Sequence, residues 1–278
     1  MTNYNVAFIG GGNMTRAIVG GLIQSRFPAG HLLISEPLET QRDLLADEFP
    51  GCVVTNDNDA IVRDASSVVL AVKPQVLPAV CKRLASTTQA SRPLIISIAA
   101  GIHSRSIESW LGGNLAIVRA MPNQPAILRL GVSGMYANEH VGAEDIGRAT
   151  EILSAVGSVV MVDNEDDIDT VTALSGTGPA YFYLLIDMLI EAGIDLGLDR
   201  DAAERLAIET ARGAGQLASE TSESMASLVE RVRSPGGTTE AAMQSLEADR
   251  VRDIFARAVT AARDRAVDLA NTAEQGRG

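Results

Sequence analysis

Apolar residues follow two rhythms along this chain. In the first part, short apolar and β-branched runs alternate with stretches of helical periodicity. Asn5–Ile9, Leu32–Ser35, Cys52–Thr55, Ser67–Val72, Leu94–Ile98, Leu115–Arg119, Val132–Tyr136 and Ser158–Val162 read as strands, several of them unbroken apolar runs of the kind buried on both faces of a parallel sheet. Asn13–Ser25, Gln41–Glu48, Asn58–Asp64, Ser104–Trp110 and Ala143–Ala155 read as helices, and the alternation predicts an α/β domain with a mostly parallel sheet. After Asp163-Asn164-Glu165-Asp166 the rhythm changes, and from Asp167 onward nothing reads as a strand. This places a boundary near Asn164 and predicts an α/β domain over 1–164 and an all-α domain over 165–278.

Within the helical part, Leu174–Pro179 breaks the first stretch, and Pro179 suits the first position of a new helix. Ala180–Ala192 is apolar nearly all round, with Asp187 and Glu191 the main exceptions. Such a helix must be buried, and a small helical domain has little interior, so it predicts a subunit interface. Its core run, Tyr181–Ile190, is broken by Asp187 and is too short to span a bilayer. Asp199 caps a helix over Arg200–Glu220, whose Ala207, Ala211, Ala214, Gly215 and Ala218 make a small-residue face. Ser224–Arg231 is a short helix, and Val251–Ala273 carries Arg/Asp pairs of a solvated face.

Charge narrows the function. The net charge is −12 and no Lys/Arg cluster stands out, which argues against a nucleic-acid surface. An anionic ligand would need local cations or backbone N–H donors. Aromatics are only 4% of the chain, so the core must be built from Ala, Val, Ile and Leu. Cys52 and Cys81 show no framework spacing, and the chain opens directly on a strand-like run; both features predict a cytoplasmic protein with no signal peptide. Histidines occur only at 31, 103 and 140, with no ligand spacing, so no metal is expected. No GxSxG elbow or P-loop lysine is present either, so a cofactor must carry the hard chemistry.

Two glycine-bearing turns stand out. Gly10-Gly11-Gly12 follows the first strand and opens a helix, the start of a dinucleotide-binding βαβ unit of Rossmann type. Gly10 would make the tight turn and Gly12 would let a pyrophosphate approach. The third fingerprint position, usually Gly or Ala, holds Thr15, which either weakens the match slightly or loosens helix–strand packing. Glu36, just past Ser35 at the end of the second strand, stands where the fingerprint puts a ribose-binding acid. Lys73-Pro74 ends the Ser67–Val72 strand, where Lys73 can meet a phosphate, and Ala99-Ala100 at the end of Leu94–Ile98 leaves room for a flat ring. The second turn is Ser234-Pro235-Gly236-Gly237-Thr238-Thr239. Pro235 stops the incoming helix, the glycines permit close approach, and the first-turn N–H groups after them form an anion site.

Together these motifs resemble the pyrroline-5-carboxylate reductase family over nearly the whole chain. The resemblance is carried by Gly10-Gly11-Gly12-Asn13-Met14, Ala71-Val72-Lys73-Pro74, Leu174-Ser175-Gly176-Thr177-Gly178-Pro179-Ala180-Tyr181 and Ser234–Thr239. It implies reduction of 1-pyrroline-5-carboxylate to L-proline by reduced NADP or NAD. It implies cofactor contacts at Gly10, Gly11, Gly12, Asn13, Met14, Ser35, Glu36, Asn58, Ala71, Val72, Lys73, Pro74, Ala99, Ala100 and Ser175. Substrate contacts fall at Glu165, Val232, Ser234, Gly236, Gly237, Thr238 and Thr239, with Thr239 meeting the ring nitrogen as the catalytic residue. Family members form dimers through their helical domains, and many assemble as decamers. Glu36 departs from the small polar residue common in NADPH users, so a shift toward NADH is expected. A related β-hydroxy-acid dehydrogenase would need a lysine in the helical domain, and none follows Lys82. A non-catalytic dinucleotide sensor is the remaining rival.

Overall fold

The computed structural model describes residues 4–274, with side chains described as far as Ala270. The outer ends of the two expected domains, 1–3 and 275–278, lie outside these residues. Contacts divide the chain into two compact units: one runs to Thr177 and takes in the chain again from Ala262, and the other is Gly178–Ala261. The division falls past the expected boundary near Asn164 because the residues after the last strand pack on the sheet, as described below.

The first unit holds one sheet of eight strands: β1 (Val6–Ile9), β2 (Leu32–Ser35), β3 (Val53–Thr55), β4 (Ser67–Leu70), β5 (Leu94–Ser97), β6 (Ile117–Met121), β7 (Gly131–Ala137) and β8 (Gly157–Met161). Their order is β3-β2-β1-β4-β5-β6-β7-β8, and every pair is parallel except β6 with β7. The helices are α1 (Asn13–Gln24), α2 (Glu39–Glu48), α3 (Asn58–Arg63), α4 (Leu77–Ser91), α5 (Ser104–Leu111), α6 (Ala143–Ser154) and α7 (Asp167–Val171). The period of two sorts the strands onto two cores. Val6 and Phe8 face Ile18, Leu22, Phe49 and Ile152, while Ala7 and Ile9 face Ile61, Leu77, Leu84 and Ile107.

The expected α/β plan with a mostly parallel sheet is present, with three differences. Helix α4 was not anticipated: its pattern is diluted by Ser86, Thr87 and Thr88, yet Leu77, Cys81, Leu84 and Thr88 still fall on one buried face. Strand β6 runs two residues further than expected, to Met121, because β7 pairs with it antiparallel through Met121↔Gly134. The break at Leu174–Pro179 is a π-helical turn over Thr172–Gly176, not a helix end. The helical stretch continues through it from Asp167 to Asp195.

The second unit comprises α8 (Gly178–Asp195), α9 (Arg200–Glu220), α10 (Met225–Val232), α11 (Thr238–Ala248) and the first part of α12 (Val251–Glu274). Asp199 caps α9 by accepting from the Ala202 N–H at 3.0 Å, as its sequence position indicates. Helix α8 leaves Phe182, Leu184, Met188 and Leu189 about half exposed or more in the single chain. The Asp167–Asp195 stretch has a window of mean hydropathy 1.2 that is only 11% buried, so it is long and apolar enough to cross a membrane by length and composition alone.

Cys81 is fully buried on the inner face of α4, and burial pushes its thiol up to about 12. The neutral thiol is the form that folding favours. Its contribution is therefore complete below the unfolded value, about pH 9, and is lost as pH rises toward about 12. Native Cys81 should be silent to thiol reagents at neutral pH. Denaturant titrations of Cys81→Ala should show an alkaline stability slope shallower than that of the unmutated chain, by up to about 1.4 kcal/mol per pH unit.

Candidate active site

The first βα turn lies at the C-terminal end of β1, where β2 leaves to one side and β4 to the other, the switch point at which open α/β sheets bind ligands. Gly10 takes φ +104°, and a Cβ there would sit 2.8 Å from the Ala71 carbonyl oxygen and 3.1 Å from Val72 Cγ1. Only glycine tolerates both conditions. The Gly10 N–H donates to the Ser35 carbonyl at 2.8 Å, which ties the turn to the end of β2. Gly12 is the N-cap of α1 with no side-chain cap, and a Cβ built on it meets open space. The first-turn amides of α1, those of Asn13 and Met14 among them, therefore have no acceptor in the helix itself. A helix start of this kind has the donors that suit an anion.

Thr15 does not loosen the packing as expected. It is buried, and its hydroxyl donates to the Gly10 carbonyl at 2.6 Å, so the turn gains a bond where alanine would leave none. The Glu36 carboxylate accepts from the Gly11 N–H at 2.9 Å and the Leu38 N–H at 3.1 Å. Arg42 donates to the carbonyls of Glu36 and Pro37, at 3.0 and 2.7 Å.

The other expected cofactor residues sit at strand ends of the same edge. Ala71, Val72, Lys73 and Pro74 follow β4, with Lys73 exposed; Ala99 and Ala100 follow β5; Asn58 opens α3 behind its cap Asp57. Ser175 lies in the π turn, where its hydroxyl donates to the Val171 carbonyl at 3.0 Å and its own carbonyl accepts from Asn123 Nδ2 at 3.1 Å. Single π turns recur at functional sites.

Glu165 is occupied inside the first unit. Its carboxylate accepts from both the backbone N–H and the hydroxyl of Ser104, the latter at 2.7 Å, and so caps the start of α5. It also lies 3.7 Å from Nη1 of Arg119, a residue of β6 that is only 1% exposed. Arg119 Nη2 donates to Asp169 of α7 at 2.6 Å. Burial and the nearby Glu165 and Glu139 carboxylates push the Tyr136 hydroxyl above its ordinary value. Arg119 and Asp169 were missed in the sequence. An arginine at the end of an apolar strand, in Ala116-Ile117-Val118-Arg119-Ala120, was the available signal.

The remaining expected substrate residues belong to the second unit. Between α10 and α11 the chain turns at Gly236, φ +71°, and the Gly237 N–H donates to the Ser234 carbonyl at 2.9 Å. Glu240 reaches back to accept from the Gly236 N–H at 2.7 Å. Gly237 is the N-cap of α11, so Thr238 and Thr239 present the first two helical N–H groups. Val232 is 62% exposed at the end of α10. Arg233 bridges Glu230 and Glu247 at 3.5 and 3.3 Å, which clamps the helices on either side of the turn.

Comparison with known proteins gives these turns their context. Residues 165–269 match a family model described as pyrroline-5-carboxylate reductase dimerisation, and residues 5–101 match one described as NADP oxidoreductase, coenzyme F420-dependent. A pyrroline-5-carboxylate reductase of Pseudomonas aeruginosa is 46% identical over 97% of this chain and 98% of its own. The chain belongs to the pyrroline-5-carboxylate reductase family. A solved reductase of this family from Coxiella burnetii shares 41% identity over 97% of this chain and 99% of its own, with a TM-score of 0.93. The Plasmodium falciparum member, solved with NADP bound, shares 28% identity over 97% and 99%, with a TM-score of 0.84.

In this family member the glycines of the first turn have separable jobs. Gly10→Ala should cost about 1–3 kcal/mol in backbone strain, and more as the Ala71 carbonyl is displaced. Gly12→Ala should cost only about 1 kcal/mol of N-cap preference, yet it fills the open space at the helix start. Denaturant melts should therefore rank Gly10→Ala as the less stable variant. Dinucleotide titrations should show that Gly12→Ala loses affinity out of proportion to its stability.

Proposed function

We propose that this chain reduces 1-pyrroline-5-carboxylate to L-proline with hydride from NADPH or NADH, the last step of proline biosynthesis. The observation that carries the reading is end-to-end similarity to reductases of that name, with both glycine turns intact. The cofactor, when bound, supplies the hydride to the imine carbon, and the ring nitrogen gains a proton. The chain's part is to hold the two reactants and the proton.

The turn of Gly10, Gly11, Gly12, Asn13 and Met14 fits a pyrophosphate, because the first-turn N–H groups of α1 have no acceptor in the helix and the space in front of Gly12 is open, while Gly10 and Gly11 are held by Ser35 and Glu36 and shape the turn. Ser35 and Glu36 would take the adenosine ribose, and Asn58 and Ala71–Pro74 would line the same strand edge, with Lys73 supplying a local cation. Ala99, Ala100 and Ser175 would bound the nicotinamide. In the second turn, the substrate carboxylate would take the N–H groups of Thr238 and Thr239, and Gly237 would join them by giving up its bond to Ser234. The Thr239 hydroxyl would hold the ring nitrogen and polarise the C=N bond, with Ser234, Gly236 and Val232 as further substrate residues of that turn; Glu165, in the other unit, is the remaining residue read as a substrate contact. No separate general acid is required if the imine arrives protonated or takes its proton through Thr239 and water.

We further propose a cytoplasmic enzyme that works as a dimer, with decamers built from dimers. The exposed apolar residues of α8 and the match to a dimerisation family support association over a membrane role for the same helix.

The decisive experiment is a cofactor-oxidation assay with pyrroline-5-carboxylate and product identification. Absence of proline formation with either cofactor would leave the non-catalytic sensor as the better reading. Thr239→Ala should lower kcat by about 10²–10³ while dinucleotide binding is kept, and full retained kcat would remove Thr239 from the mechanism. Glu36 presents a carboxylate that repels a 2′-phosphate and accepts bonds from a free ribose diol. The kcat/KM ratio should therefore favour NADH, and Glu36→Ser should move it toward NADPH; a wild-type ratio well in favour of NADPH would refute that role.

A further inference from the structure

The buried Arg119 is not explained by stability. Its Nη2 is paired to Asp169, but Nε and Nη1 make no hydrogen bond among the described residues, although the side chain is 1% exposed. A guanidinium buried with unsatisfied nitrogens is costly, and an apolar side chain of like volume commonly serves a core as well or better. What Arg119 does have is position. It lies opposite Ser97 of β5 on one side and Tyr136 of β7 on the other. Its two acidic neighbours, Glu165 and Asp169, lie four residues apart where α7 begins. Through Glu165 it reaches Ser104, the residue that opens α5 directly after the Ala99–His103 turn. Through Asp169 it reaches α7, which runs straight into the π turn carrying Ser175. Asn123, just beyond β6, holds the other end of that turn by donating to the Ser175 carbonyl and accepting from the Val132 N–H at 3.0 Å.

We propose that Arg119 is a positioning residue for the dinucleotide: by holding Glu165 and Asp169 it fixes the 165–169 segment, which is tied to Ser104 at the end of the Ala99–Ser104 turn and leads into the Thr172–Gly176 turn. The proposal rests on the reading of Ala99, Ala100 and Ser175 as nicotinamide-side contacts. A planar guanidinium can serve two carboxylates from separate nitrogens, whereas a lysine ammonium is a single point that cannot hold both in this arrangement. The fork sets geometry, so its loss should weaken binding of the group that must fit between the turns. Binding of the imine, whose carboxylate is assigned to the 234–239 turn, should change less, Glu165 being the one substrate residue that Arg119 touches.

The test compares the full-length protein with Arg119→Lys and Ser104→Ala, checked for native circular dichroism and oligomer size. The dinucleotide Kd is measured by fluorescence titration and the imine KM at saturating cofactor. Arg119→Lys should raise the dinucleotide Kd about tenfold and the imine KM by no more than about threefold through Glu165, the effect of a misplaced wall and not of a lost contact. A folded Arg119→Lys with unchanged dinucleotide Kd, or with both constants weakened in parallel, overturns the proposal. Should Arg119→Lys fail to fold, Ser104→Ala decides: a Kd raised about threefold supports the coupling, and an unchanged one overturns it. Ala100→Leu tests the parent reading separately. If crowding that turn leaves dinucleotide affinity intact, the assignment of the turn fails, whatever Arg119 does.

Discussion

The close approach of two backbones at the end of β1 is the constraint from which the first unit is built. Gly10 stands so near the Ala71 carbonyl that no side chain fits between them, and its positive φ sends the chain away from the sheet directly into α1. β1 is the strand from which the sheet grows in both directions, toward β2 on one side and β4 on the other. If those two strand ends were pushed apart to admit a Cβ, the helix start would lift from the switch point and the open face of Gly12 would lose its backing. Thr15 reinforces the turn from inside by bonding the Gly10 carbonyl. A residue that departs from the fingerprint thereby tightens the feature that the fingerprint describes.

The second unit obeys a different constraint, the absence of an interior. Five helices with α8 at their start cannot cover Phe182, Leu184, Met188 and Leu189 from within one chain. Water contact with that much apolar surface is unfavourable by roughly 25 cal/mol for each Å², so a face of this kind is expected to find a partner. Asp187 and Glu191 lie in the same helix, and α9 behind it presents alanines and glycines, which suits helix packing better than lipid contact. The match of 165–269 to a dimerisation family is in keeping with that argument.

Much of the fold was legible because its signals are local. Apolar strand cores such as Val68-Val69-Leu70 and Leu94-Ile95-Ile96 need no tertiary information when both faces are buried. Asp199 was readable as a cap because the bond it makes is three residues away. What stayed hidden depends on long-range pairing. Strand β6 gains its last residues from β7, and α4 forms by burying one face beneath a sheet that the local pattern does not reveal. In the site, the glycine turns announce themselves through backbone requirements, but Arg119 and Asp169 are fifty positions apart and meet only in three dimensions. The π turn was read as a break because Gly176, Gly178 and Pro179 are each poor helix formers; the helical stretch nonetheless runs through them.

A chain with net charge −12 that is read as binding an anionic cofactor and an anionic substrate must find positive potential somewhere other than a field of lysines. At three helix starts backbone amides are already engaged by acids of the chain itself. Glu36 accepts from Gly11 ahead of α1, Glu165 from Ser104 at α5, and Glu240 from Gly236 ahead of α11. Each carboxylate takes an amide at or beside the opening of a helix, and the other first-turn amides have no acceptor within the helix. The acids hold the loops in shape, and the donors that remain are backbone groups fixed before any ligand arrives. Such donors act over a few ångströms and are paired to geometry, whereas the overall negative field is screened within about 10 Å at ordinary ionic strength. An acidic protein can therefore select small anions at contact without attracting polyanions at a distance, which is the discrimination expected of an enzyme acting on a small carboxylate beside a dinucleotide.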